Sequence, residues 1–166
     1  MVRPPPSERA LVAALGRYER LIEVGVGRRP GVARALADRG HEVVAIDIEV
    51  SEAAQDAAAG RQAPSGGTLR VVAADVTALA ADDERAAQSA LGIGAGDEIA
   101  GEAPDAPGGV DAVYARNLPA ELQRATVALA ERLGAACLFT TLGFEEPVVD
   151  VSRKSTESGT VVFVAR

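Results

Sequence analysis

The chain has 166 residues, 48% hydrophobic but only 3% aromatic, which predicts one domain with a core built from Ala, Val, Leu and Ile. A single cysteine, Cys137, and a single histidine exclude an internal disulfide and argue against a Cys- or His-rich metal centre. A net charge of −7 argues against an extended nucleic-acid surface, and the lack of a bilayer-length apolar run or signal-peptide core predicts a cytoplasmic protein away from the membrane.

In chain order, Ser7 is expected to cap a first helix, SERALVAALGRYER, with Glu8 in its first turn. RLIEVGVG is apolar, short and ended by glycine, which predicts the first strand. RPGVARALADRG predicts a helix with Pro30 in its first turn, an apolar stripe of Val32, Ala35 and Leu36, and a stop at Gly40. The β-branched run HEVVAIDI predicts the second strand, SEAAQDAAAGR a helix, APSGG a loop and TLRVVAADV the third strand. ADDERAAQSAL predicts a further helix. Residues 92–109, rich in Gly, Ala, Pro and acid, read as an exposed loop, including the LGIGAG stretch that imitates a nucleotide loop. VDAVYAR predicts the fourth strand, PAELQRATVALAERLG a long amphipathic helix and AACLFTTL the fifth strand. VVDVSR and TVVFVAR, joined by the polar KSTESG, predict an antiparallel hairpin.

Alternating strands and helices imply a single α/β domain over residues 1–166, three-layered and Rossmann-like. Its sheet is expected to be mostly parallel with a C-terminal antiparallel hairpin. Right-handed crossovers bring the loops that follow the parallel strands to one edge, where such sheets bind ligands. Residues just after strands are therefore candidates, and residues just before them are not.

Gly25 and Gly27 follow the first strand and precede a helix. Glycine permits a tight turn and close ligand approach, and the helix start offers free amides. Asp47 lies 20 residues beyond Gly27, at the end of the second strand, where a carboxylate can accept hydrogen bonds from ribose hydroxyls. A plain tight turn with a capping acid is the bland alternative.

Two families resemble this stretch. GVARALADRGHEVVAID resembles the first crossover of NAD-binding domains, including potassium-channel regulatory ones, but Pro30 stands at the third motif glycine. Glu23-x-Gly25-x-Gly27 resembles the first motif of class I methyltransferases, with Arg29 at its last glycine. The acid inside the first strand, Asp75 at the end of the third, and the terminal hairpin favour the second family. The order LIEVGVGRRPGVA, HEVVAIDI, VDAVYARNLPAELQ, CLFTTLGFEEP resembles, over most of the chain, a small uncharacterised archaeal family with a methyltransferase-like Rossmann fold. The acid excess and the single lysine resemble salt-adapted proteomes.

The resemblance implies S-adenosylmethionine, with NAD as the alternative, held by Glu23, Gly25, Gly27, Arg28, Asp47, Asp75 and Arg116. Asp75 would meet the adenine amino group, and Arg28 a ligand carboxylate or phosphate. Tyr114 and Asn117, at the end of the fourth strand, are the candidate catalytic residues for a methyltransferase. Asn117-Leu118-Pro119-Ala120 keeps two positions of the tetrapeptide of amino-group methyltransferases. Their bland roles are a packed core tyrosine and a helix cap. Cys137 reads as an inert core residue, His41 as a turn residue at the far edge, and Glu145 and Glu146 as a solvated turn or outer pocket wall. The expected partner is a small-molecule nucleoside cofactor, and a homo-oligomer is compatible with the sequence. A degenerate Rossmann domain without cofactor, kept for interaction, is the third reading.

Overall fold

The computed structural model describes residues 4–59, 66–92, 109–143, 145–156 and 159–166. The predicted loop at 92–109, apart from its end glycines, and most of APSGG lie outside the described residues.

Seven strands form one sheet: β1 Arg20–Val24, β2 Glu42–Asp47, β3 Thr68–Ala73, β4 Ala112–Ala115, β5 Ala136–Phe139, β6 Ser152–Ser155 and β7 Val161–Val164. Their order is β3-β2-β1-β4-β5-β7-β6, parallel from β3 through β5 and antiparallel at β7 and β6. The expected α/β architecture is therefore observed. A two-half dinucleotide fold runs 3-2-1-4-5-6 with the last strand parallel. Here β7 inserts antiparallel beside β5.

Helices cover both faces. On one lie α1 Pro6–Leu15, α2 Gly31–Asp38 and α3 Glu52–Ala58. On the other lie α4 Val76–Ala81, α5 Glu84–Leu91 and α6 Ala120–Arg132. The two-residue period of a strand divides the core between them. In β1, Ile22 and Val24 join the α4–α6 side, and Leu21 packs on the α1–α3 side. In β4, Val113 and Ala115 point one way and Ala112 and Tyr114 the other. Few aromatics are needed; Phe139 and Phe163 form one tilted pair, 5.6 Å between centroids.

Four local expectations are corrected. The first helix begins at Pro6 with Pro5 at its cap, so Ser7 is already helical and caps nothing; it stops at Leu15, well short of Arg20. Two prolines pre-set φ for that entry, which replaces a side-chain cap. Val76, read as the end of the third strand, and Ala81, read as the start of the next helix, belong with the unassigned residues between them to α4, because the Asp75 carboxylate accepts from the Thr77 amide and starts a helix there. β6 begins at Ser152, so Lys154 and Ser155 belong to the strand and not to the turn. Finally, α6 is capped at Pro119 without a side-chain hydrogen bond, so Asn117 is no cap.

Candidate functional site

The turn after β1 is built on two left-handed residues, Gly25 at φ 74° and Gly27 at φ 54°, which is why both are glycine. The Gly25 and Val26 amides donate to the Ile46 carbonyl, folding the loop against the end of β2. Asp47 Oδ2 accepts from the Gly27 amide at 2.9 Å, and Ser51 Oγ donates to the Gly27 carbonyl at 2.7 Å. Ser51 also caps α3. The loop that would receive a ligand is thus held by the carboxylate predicted to bind it, and among the described residues only one of that carboxylate's oxygens is used.

A cleft of about 490 Å³ opens here, lined by Gly27, Arg28, Asp47, Glu49, Val50 and Ser51. Beside it a slot of about 70 Å³ runs between Gly25, Asp47 and Asp75, with Val24, Ile48, Val76 and Leu122 as its apolar walls. Asp47, Gly25 and Asp75, from three successive strand ends, meet around this slot. Ile48 is 71% exposed, the most exposed of the large hydrophobic side chains among the described residues. Sequence reasoning missed Ile48 and Leu122. An apolar residue directly after the strand-end acid was the available signal for the first. Leu122 comes from α6, and only the fold brings it near.

Glu23, Tyr114 and Arg116 occupy a different place. Glu23 and Tyr114 are register partners on β1 and β4 and point to the α1–α3 side. Both are fully buried, and neither Glu23 Oε2 nor the Tyr114 hydroxyl has a protein hydrogen-bond partner of good geometry. Burial pushes the Glu23 carboxyl up to about 7, against the opposing pull of the neighbouring Tyr114 hydroxyl and of Arg116. Burial likewise raises the Tyr114 hydroxyl well above its ordinary range, reinforced by the Glu23 charge. Arg116 is mostly buried and faces Glu8 of α1, Nε to Oε1 at 3.8 Å. The Glu8–Arg116–Glu23–Tyr114 group is therefore an interior polar cluster under the site, not part of its open wall. Glu8 was read only as a first-turn acid, because no local pattern ties α1 to the end of β4.

Asn117 stands at the end of β4 with φ 52°, its amide donating to Thr140 Oγ1 at 3.0 Å. Nearby, a cavity of about 380 Å³ is lined by Thr140, Thr141, Glu145, Glu146, Arg153 and Thr160, with Glu146 and Arg153 ion-paired. His41 lies at the opposite edge, Nδ1 2.5 Å from the Tyr18 carbonyl, and the buried Cys137 thiol is pushed up to about 12 by burial alone. No cluster of metal-ligating residues occurs among the described residues. Among them, too, no helix is long and apolar enough to cross a membrane.

Solved structures similar to this chain define its class. An S-adenosylmethionine complex of a mutant MtNAS is 18% identical with a TM-score of 0.57, covering 97% of this chain and 63% of that one. The S-adenosylhomocysteine-bound magnesium protoporphyrin IX methyltransferase of Synechocystis PCC 6803 is 16% identical with a TM-score of 0.53, covering 96% and 82%. The 23S rRNA methyltransferase ErmE is 16% identical with a TM-score of 0.51, covering 100% and 69%. At such identities the likeness concerns the fold, which is Rossmann-like and of the class I methyltransferase type.

Sequence likeness then places the particular chain. The model of the uncharacterised protein family UPF0146 matches residues 7–78 and 58–166. UPF0146 proteins of two Halobacterium salinarum strains, R1 and NRC-1, are each 40% identical over all 166 residues and 98% of their own length. The chain belongs to UPF0146. The relatives' halophilic source agrees with the acid-rich, lysine-poor composition.

Proposed function

We propose that this chain binds S-adenosylmethionine, or a closely related nucleoside, at the carboxyl edge of β1, β2 and β3, and that methyl transfer is the reaction this binding serves. The observation that carries the reading is Asp47. Its Oδ2 holds the Gly27 amide, while the carboxylate borders both the apolar slot and the wider cleft. A ribose placed in the cleft would meet the other oxygen, and its base would enter between Ile48 and Leu122. Solved neighbours of the same fold carry S-adenosylmethionine or S-adenosylhomocysteine, which supports the ligand class.

The residues fit such a ligand at its nucleoside end. Gly25 and Gly27 allow close backbone approach, and Asp75, exposed at the slot's far side, is assigned to the base. Its Oδ1 is engaged by the Thr77 amide, so base recognition falls to Oδ2. Arg28, exposed on the cleft wall, is assigned to an anionic group of the ligand. Glu23 and Arg116 act from beneath, setting the charge under the loop. Bound S-adenosylmethionine supplies an electrophilic methyl carbon. The chain's part is orientation, with the Asn117 side chain, beside the Thr140 cavity, accepting a hydrogen bond from the methyl acceptor. Tyr114 is sealed in the core, and in this reading its hydroxyl acts only on the charge of Glu23, pulling that carboxyl's pKa down. No observation favours NAD over this ligand, and the antiparallel β7 is against a second mononucleotide half.

Calorimetric titration with S-adenosylmethionine, S-adenosylhomocysteine and NADH, in high salt, tests the proposal. Heat with either of the first two and none with NADH is expected. Asp47→Ala should weaken that binding by about tenfold or more, since one charge-assisted contact is worth roughly 1.5–3 kcal/mol. Silence with both sulfur nucleosides would remove the proposal.

A further inference from the structure

The acidic balance of the chain conceals a segregated surface. The first 40 residues hold eight arginines and four acids, so the remaining 126 residues carry the whole acid excess. Two of those four acids, Glu8 and Glu23, are buried. Six of the arginines are exposed: Arg9 on α1, Arg17 just beyond it, Arg28 and Arg29 in the turn after β1, Arg34 on α2 and Arg39 at its end. None has a carboxylate within ion-pair distance among the described residues, where the ion-paired arginines are Arg20, Arg116 and Arg153. In a chain with 24 acids, six exposed arginines without an acidic partner among the described residues, two of them on one groove, offer guanidinium groups to an external anion.

The geometry narrows that anion. α1 and α2 lie side by side, and the groove between them, about 470 Å³, has Glu8 at its base and Arg9 and Arg39 among its walls. Both guanidinium groups are steadied by backbone carbonyls, Arg9 on Pro4 and Arg39 on Ala35, each at 3.0 Å, and keep further N–H groups outward. α2, with eight residues, rises about 12 Å, a length over which one strand of a duplex presents about three phosphates. The groove also has apolar residues, Pro4, Val12, Ala13 and Ala35, but they are small; the large exposed hydrophobics that would anchor a protein partner, Ile48, Leu142 and Val148, lie elsewhere. The face has no stacking platform for a single strand, since Tyr18 is half-buried with Arg17 over its ring. Surface acids near it are Glu19 and Asp38.

We propose that the α1–α2 face binds the phosphate backbone of double-stranded nucleic acid without reading its sequence. Arg28 joins this face to the cleft wall, so a bound duplex lies at the rim of the nucleoside cleft. The face binds whether or not the cleft holds a nucleoside.

Fluorescence anisotropy with labelled 16-base-pair DNA and RNA duplexes, over a KCl series in which circular dichroism shows the folded chain, tests this. Binding is expected with at least one duplex, weakening as salt rises by close to one unit of log slope per phosphate contacted. The double variant Arg34→Glu/Arg39→Glu should lose about tenfold in affinity and about two units of that slope, while Arg34→Lys/Arg39→Lys keeps both near the starting values. Arg124→Glu, on the opposite helical layer, should change neither. The proposal is overturned by no duplex binding at the lowest salt, by equal loss with Arg124→Glu, or by binding only to single strands, acidic peptides or anionic vesicles. Calorimetry of the double variant with S-adenosylmethionine separates the two proposals. Its outcome follows the cleft and is expected to match the unaltered chain.

Discussion

At the scale of single residues, Glu23 is the group whose chemistry the fold changes most. In the unfolded chain it titrates near the ordinary value of 4.5, and burial pushes it up to about 7 in the folded chain. A raised folded pKa means that the native state holds the proton more tightly. Its contribution to stability is fully present below about pH 4.5 and is lost as the pH rises through about 7, a fall on the order of 3 kcal/mol. Urea denaturation at pH 5 and pH 8 should show that fall, and Glu23→Gln should abolish it and exceed the unaltered chain in stability at pH 8. The neighbouring hydroxyl gives a second test. Because the buried Tyr114 hydroxyl has no partner of good geometry, Tyr114→Phe should cost less than about 1 kcal/mol in a thermal melt at pH 5, where the Glu23 carboxyl is protonated. It should also move the Glu23 titration, read by NMR, further up, since the hydroxyl pulls that pKa down. Asp47 differs in kind from these two, because it is both a structural acceptor for Gly27 and the assigned ligand contact. Its replacement should therefore also lower stability, by about 1 kcal/mol.

At the scale of elements, most strands and helices were legible because their signals are local. The β-branched runs at β2 and β3, the glycine turn after β1 and the long amphipathic α6 announce themselves in short windows. The misread pieces are those where a local signal was overruled by its neighbour. Asp75 looked like the last residue of a strand and is the cap of α4. Asn117 looked like a cap and is a left-handed residue tied to Thr140. A packing constraint between elements is sharpest at Gly67, which the sequence marked only as loop. A Cβ there would stand 1.9 Å from the Ala37 carbonyl oxygen, because β3 enters the sheet directly under the end of α2. Gly67→Ala should thus destabilise by about 3 kcal/mol, measured by urea denaturation, with backbone rather than a flexible side chain forced to move.

At the scale of the whole molecule, charge is the property that a sum misrepresents. Net −7 predicts self-repulsion, and screening it should favour the folded state. Raising KCl from about 0.2 M to about 2 M should lift Tm by about 3 °C or more, read by differential scanning calorimetry. Yet Arg9 on α1, Arg34 on α2 and Arg39 at its end are exposed on this acidic body, a local balance that the net charge hides.

By itself the sequence determined the α/β class, the element order, the hairpin and the position of the glycine turn with Asp47 beyond it. These depend on periodicity and on residues that act within a few positions of each other. Only the tertiary structure decided which candidates share a site. The period-two alternation of β1 and β4 turns Glu23 and Tyr114 inward, and crossovers bring Ile48, Asp75 and Leu122 to one slot. Only the packing of α1 on α2 brings Arg9 and Arg39 to one groove, since contacts between residues far apart in the chain leave no trace in local pattern.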